Sequence, residues 1–289
     1  MNPVWRRLVG ALALLAAVAS CGSSDGELVA EEGDLGHIHD LVVDDDGTLL
    51  VASHTGLWRI EALDRAVLVG TEQHDLMSMA GLSDGALVAS GHPNLLMERY
   101  QVEGRPPFLG LVRSIDGGET WEIVDLLGDA DFHALVPVDG VLYAAETSGR
   151  IWRLDAEGTW EQLGEVEARD LAVDPANLSR QLAPDYDGTV WVSDDGAATW
   201  SVLDDAPALV EIEWPSPDTI IGLTEDGEVH IASSPRSTWE PAGSASAEVE
   251  TFLVDRDGAW WVTSHGGAIA RSDDQGATWA DVYIPPGRS

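Results

Sequence analysis

From His37 onward the chain is built of short apolar runs, about four to six residues each, broken by Gly, Asp and Ser turns every eight to twelve positions or so. Alternation at that spacing predicts short antiparallel strands and argues against helices. Four kinds of run recur in a constant order. The first ends in an acid, as in Leu41-Val42-Val43-Asp44, Leu171-Ala172-Val173-Asp174 and Phe252-Leu253-Val254-Asp255. The second resembles Leu49-Leu50-Val51-Ala52-Ser53 or Trp260-Trp261-Val262-Thr263-Ser264, and a Gly opens the third, as in Gly56-Leu57-Trp58-Arg59-Ile60. A Thr-Trp pair begins the fourth, at Thr120-Trp121, Thr159-Trp160, Thr199-Trp200, Thr238-Trp239 and Thr278-Trp279, with 39, 40, 39 and 40 residues from one Trp to the next.

A fixed period near forty residues is the signature of repeats that bury their apolar faces against their neighbours. Six units fit, starting near His37, Gln73, Asp131, Arg169, Val210 and Val249; the first has Arg65-Ala66 where the Thr-Trp pair would fall. Four-stranded units of this length are propeller blades, so the expected fold is all-β, a six-bladed β-propeller over residues 37–289, with a seventh, incomplete unit as the alternative.

The turn before the fourth strand carries a sharper pattern. Ser114-Ile115-Asp116-Gly117-Gly118-Glu119-Thr120-Trp121 and Ser272-Asp273-Asp274-Gln275-Gly276-Ala277-Thr278-Trp279 share Ser-x-Asp-x-Gly-x-Thr-Trp. Ser193 to Trp200 keeps Ser193, Asp195, Thr199 and Trp200 but has Ala197 for the Gly. This pattern resembles the Asp-box, or BNR repeat, of sialidase-like propellers. Its acid, hydroxyl and aromatic are best read as structural: Asp folds the hairpin, Gly118 and Gly276 supply a left-handed position, and Trp packs into the blade.

Composition and charge narrow the function. The chain has 51 acidic and 15 basic residues, all of the latter Arg, for a formal net charge of −36. Such a surface repels phosphate backbones, so nucleic acid is excluded as a partner. Residues 1–20 have the layout of an export signal, with Arg6 and Arg7, an apolar run from Leu8 to Val18, and small residues after it. The only cysteine, Cys21, directly follows Val18-Ala19-Ser20, which resembles the lipobox of bacterial lipoproteins. That resemblance implies lipidation of Cys21, two acyl chains sufficing for stable anchoring at the outer face of the cell membrane. Residues 21–36, rich in Gly, Ser and acids, read as a flexible tether.

In a propeller the starts of first strands and the loops between second and third strands share one face. That puts His37, His39, His74 and His133 together with His54, His92 and His265, seven of the eight histidines, and leaves out His230. His39-Asp40-Leu41, His74-Asp75-Leu76 and His133-Ala134-Leu135 look equivalent in successive blades; Arg169-Asp170-Leu171 and Glu250 continue the series, and Glu146 and Tyr186 lie in second-to-third loops. Imidazoles beside carboxylates suit Zn²⁺ or Cu²⁺, with His39, His74 and His133 as the expected ligands, and suit general acid–base work equally. Blade two also carries about fifteen extra residues between Ser90 and Leu109, read as a lid or specificity loop.

With the lipobox, the segments His37-Ile38-His39-Asp40, His74-Asp75-Leu76-Met77, Ser90-Gly91-His92-Pro93 and Asp131-Phe132-His133-Ala134 resemble a group of bacterial lipoproteins labelled glycosylhydrolases. The sialidase resemblance implies an Arg triad and a Tyr-Glu nucleophile pair. Here Arg169 is the one Arg at an axial first-strand position, and Tyr186 has no matching Glu, so true sialidase activity is not expected. A monomeric surface propeller binding a metal or small polar ligand is the leading expectation. The alternatives are a glycoside hydrolase of neutral glycans, drawing acids from Asp40, Asp75, Glu146, Asp170 and Glu250, and an interaction scaffold for an envelope protein.

Overall fold

A computed structural model describes residues 35–245 and 248–286. The expected export signal, Cys21 and most of the tether lie outside the described residues. Leu35 is buried against Ile38, Trp58 and Tyr283, so the packed domain includes at least two residues before His37.

Six four-stranded antiparallel sheets follow one another along the chain, each with its strands in sequence order. Blade one is β1 (Ile38–Val43), β2 (Leu49–Ser53), β3 (Gly56–Ala62) and β4 (Arg65–Leu68). Blade two is β5 (Asp75–Gly81), β6 (Leu87–His92), β7 (Leu111–Ser114) and β8 (Glu122–Asp125). Blade three is β9 (Phe132–Val138), β10 (Val141–Glu146), β11 (Arg150–Leu154) and β12 (Trp160–Glu165). Blade four is β13 (Ala172–Val173), β14 (Gln181–Pro184), β15 (Val190–Ser193) and β16 (Ser201–Val202). Blade five is β17 (Glu211–Ser216), β18 (Thr219–Leu223), β19 (Glu228–Ala232) and β20 (Glu240–Ser244). Blade six is β21 (Val249–Val254), β22 (Trp260–Ser264), β23 (Ala268–Ser272) and β24 (Ala280–Tyr283).

The apolar faces meet between blades. One cluster joins Val42 and Leu57 of blade one to Met79, Val112 and Trp121 of blade two, and corresponding clusters fill the other junctions. The last joins Leu41 and Trp58 to Trp261, Ile269 and Tyr283. With the Ile284 N–H donating to the Leu63 carbonyl at 2.7 Å, it closes the ring at six blades and leaves no place for a seventh.

The Ser-x-Asp hairpins show why the period is so regular. The Ser114 hydroxyl donates to Asp116 Oδ1 at 2.7 Å and accepts the Gly118 N–H at 2.8 Å, while Asp116 accepts the Thr120 N–H at 3.0 Å and the Thr120 hydroxyl at 2.6 Å. Ser193, Asp195 and Thr199 repeat this set, as do Ser272, Asp274 and Thr278. Each carboxylate is thus occupied within its own turn. Gly118 has φ of 92°, and a Cβ there would lie 2.0 Å from Leu57 of blade one, so the hairpin fits its neighbour only with Gly.

Candidate metal and ligand site at the histidine-bearing face

Each inner strand carries one residue too many where it enters the blade. In β1, Ile38 faces Ser53 and Asp40 faces Ala52, which leaves His39 unpaired. The residue left out is Met77 in β5, His133 in β9 and Glu250 in β21. Ahead of β13 the N–H groups of Arg169 and Asp170 both point to the Pro184 carbonyl, and Leu223 faces both Val210 and Glu211. A bulge re-aims the extra side chain, so His39, Met77, His133, Arg169, Val210 and Glu250 form a ring at the mouth of the axial channel. All but Val210 line a basin of about 600 Å³, together with His37, Tyr186, Glu211, Glu225, Glu248 and His265.

This register differs from the expected one in blade two, where Met77 and not His74 is equivalent to His39 and His133. His74 is 2% exposed and fully engaged: Nε2 lies 3.0 Å from Glu72, Nδ1 accepts the Asn94 N–H at 3.0 Å, and the ring meets Tyr100 edge-on at 4.4 Å. Burial lowers its pKa in spite of Glu72. The structure therefore does not bring His74 together with His39 and His133.

It does bring together a chain of histidines and acids crossing blades six, one, two and three. His39 Nε2 lies 3.2 Å from His54 Nδ1, with His37 rings 4.8 and 5.6 Å from theirs. Ligand atoms of His37, His39 and His54 all lie within 4.8 Å of one another, as do those of His37, Glu250 and His265. Asp75 takes His54 Nδ1 at 2.8 Å on one oxygen and His92 Nδ1 at 3.2 Å on the other. His92 Nε2 then lies 3.4 Å from Asp131 Oδ2, which also meets His133 Nε2 at 3.3 Å.

Protonation states sort these rings. Burial, then the neighbouring His54 and His37, depress the His39 pKa to about 3, so its ring is a neutral imidazole. Asp131 and Asp75 raise His92 to about 10, which makes it a cation clamped between two carboxylates. Burial acts to raise Asp131, but the adjoining His133 and His92 outweigh it and hold the carboxyl well below its ordinary range.

The remaining candidate acids sit elsewhere. Asp40 accepts the Leu41 and Met79 N–H groups, both at 2.8 Å, and Asp170 accepts those of Leu171 and Ile212, both at 2.7 Å. Both line the axial channel of about 700 Å³ below the mouth, and burial raises them to about 7 and about 6. Glu146 is 4% exposed and bonded to Arg150 and to Trp152 Nε1. Arg169 reaches from blade four to the carbonyls of Val249 and Glu250 in blade six, at 3.1 and 3.3 Å. Tyr186 is exposed at the basin rim.

The long loop of blade two is pinned to its blade. Tyr100, 1% exposed in the short turn Glu98–Tyr100, has its hydroxyl 2.6 Å from Glu72 and 2.9 Å from the Trp121 carbonyl, and Arg99 also pairs with Glu72. Sequence reasoning missed Asp131, Met77 and Glu72. Asp131 had a readable signal, since it precedes Phe132 as His37 precedes Ile38 in blade one.

No family model matches the chain, and no curated protein matches it. Among solved structures it is similar to the WD40 β-propeller domain of Doa1, at 14% identity over 88% of this chain and 85% of that one, TM-score 0.60. It is also similar to virginiamycin B lyase from Staphylococcus aureus, at 11% identity over 89% and 87%, TM-score 0.57. A third similar structure is PorZ, a surface component of the type-IX secretion system of Porphyromonas gingivalis, at 16% identity over 83% of this chain and 33% of that one, TM-score 0.51. At these identities the likeness shows the β-propeller fold alone.

Proposed function

We propose that the protein is an exported, lipid-anchored propeller of the Asp-box type that binds a transition metal, Zn²⁺ or Cu²⁺, through His37, His39 and His54 at the mouth of its channel. The observation that carries this reading is the approach of three imidazoles from one blade, with His39 held neutral. Two nitrogens about 2.0–2.1 Å from one tetrahedral metal stand roughly 3.3 Å apart; His39 Nε2 and His54 Nδ1 are 3.2 Å apart already. Asp75 Oδ1 lies 2.8 Å from that same His54 Nδ1 and 4.0 Å from His39 Nε2, so this carboxylate stands where it can join the imidazoles as a further oxygen ligand. Anchoring rests on Cys21 and the apolar run before it, and export is in keeping with the surface location named for PorZ.

Hydrolysis of a neutral glycan has less support, because the candidate acids are engaged: Asp40 and Asp170 by backbone N–H groups, Glu146 by Arg150 and Trp152, Asp75 and Glu250 by histidines. Calorimetric titration with Zn²⁺ and Cu²⁺ tests the metal reading. Saturable binding is expected, lost in His39→Ala; no heat from the parent chain with either ion sinks it.

A further inference from the structure

Resting on that metal reading, we infer that the metal this mouth selects is copper, and that the thioether of Met77 is the ligand that makes the choice, held between His39 and His133. The three residues occupy the same bulge position in adjacent blades one, two and three, and all three line the one basin. The inner strands β1, β5 and β9 lie side by side, so the extra residue of each is delivered to neighbouring points on the rim.

Met77 has no packing task to account for it. It belongs to none of the six apolar clusters between blades, although Met79, two residues on, is buried in one of them. The other bulge residues around the mouth are His39, His133, Arg169, Val210 and Glu250, so the thioether stands among side chains most of which are polar. Room for it is made by Gly91 on the paired strand, where a Cβ would come within 3.1 Å of Met77 Cγ and 2.2 Å of the Asp75 carbonyl. On its other side the His133 Nε2 is buried without a hydrogen bond, at 3.3 Å from Asp131 Oδ2 but outside hydrogen-bond geometry.

An imidazole on each side of a thioether is a nitrogen-sulfur-nitrogen donor set. Soft thioether sulfur favours Cu(I) and adds little for Zn²⁺, which imidazoles alone serve well. Zinc held by His37, His39 and His54 therefore ignores Met77, whereas Cu(I) draws on it.

The test compares the parent chain with Met77→Leu, a near volume-conserving exchange, both carrying Cys21→Ser so that the thiol supplies no sulfur. Cu(I) affinity is read anaerobically by competition with a chromophoric Cu(I) chelator, Zn²⁺ affinity by calorimetry, and sulfur ligation by X-ray absorption at the copper edge. The expected result is a loss of roughly tenfold or more in Cu(I) affinity with Zn²⁺ affinity within about twofold, and disappearance of the sulfur scatterer. Cu(I) affinity unchanged in Met77→Leu, or both metals weakened alike, overturns the role of Met77. A parent that binds Zn²⁺ through His39 but no Cu(I) overturns the copper inference and leaves the metal reading standing; one that binds neither ion overturns both.

Discussion

His92→Gln is the most direct probe of the charge order within the histidine chain. The His92 ring stands between Asp75 Oδ2 at 3.2 Å and Asp131 Oδ2 at 3.4 Å, and these carboxylates raise its pKa from 6.5 to about 10. At about 1.36 kcal/mol per unit, that shift corresponds to at most ~5 kcal/mol of folding stability. Because 35% of the side chain is open to solvent, screening reduces the figure to ~1–3 kcal/mol. The sign follows from the proton held in the folded state. The contribution is complete below the unfolded value of 6.5, shrinks as pH rises, and is gone once pH passes about 10. Urea unfolding of the parent and of His92→Gln at about pH 6 and about pH 10 should therefore give a difference of ~1–3 kcal/mol at the lower pH and almost none at the higher. An equal difference at both, or a His92 titration midpoint below about 7.5 by NMR, refutes the clamped cation.

Three further outcomes follow from the same geometry. Asp40→Ala leaves the Leu41 and Met79 N–H groups to channel water and should cost ~1–3 kcal/mol in denaturant unfolding, with Asp40→Asn costing less because its carbonyl still accepts one of them. Tyr100→Phe removes the hydroxyl beside Glu72 and should raise amide exchange across residues 93–108, read by mass spectrometry; unchanged protection there would show that the pin is not what holds the loop. Ser272→Ala deprives the Gly276 N–H of its acceptor and should cost ~1 kcal/mol while leaving Zn²⁺ affinity as in the parent, since the hairpin lies away from the histidine face.

The blades were legible because the elements that set their period are local: a Ser, an Asp and a Thr close one hairpin within seven residues, and that hairpin recurs in blades two, four and six, with Asp155 still accepting the Thr159 N–H in blade three. Which histidines share a face was legible for a related reason, since strand order alone fixes the end at which a first strand starts. Register was not. His74-Asp75-Leu76 looks like His39-Asp40-Leu41, yet Asp75 pairs with His92 and Leu76 with Gly91, so the bulge falls three residues after His74. A bulge has no residue signature of its own here. Its extra position is His, Met, Arg, Val or Glu, and only the pairing across the strand reveals it.

That pairing also explains why chemistry gathers at this rim. The residue after each bulge turns below the mouth and in several blades ties its neighbour: Asp40 accepts from Met79, Asp170 from Ile212, Glu211 bonds the Phe252 backbone, and the Ser78 hydroxyl donates to the Phe132 carbonyl at 2.8 Å. Ring cohesion at this level thus comes from one position of each inner strand. At the preceding position Arg169 and Glu250 carry interblade bonds of their own, Arg169 to Glu211 and to the Val249 and Glu250 carbonyls and Glu250 from the Ile38 N–H, whereas Met77 and His133 show none among the described residues. At Met77 the side chain can change without loosening the ring, because the Ser78 tie beside it is untouched. A substitution at Met77 or His133 should accordingly alter what the mouth binds far more than how firmly the blades hold, whereas one at Asp40 or Asp170 should do the reverse.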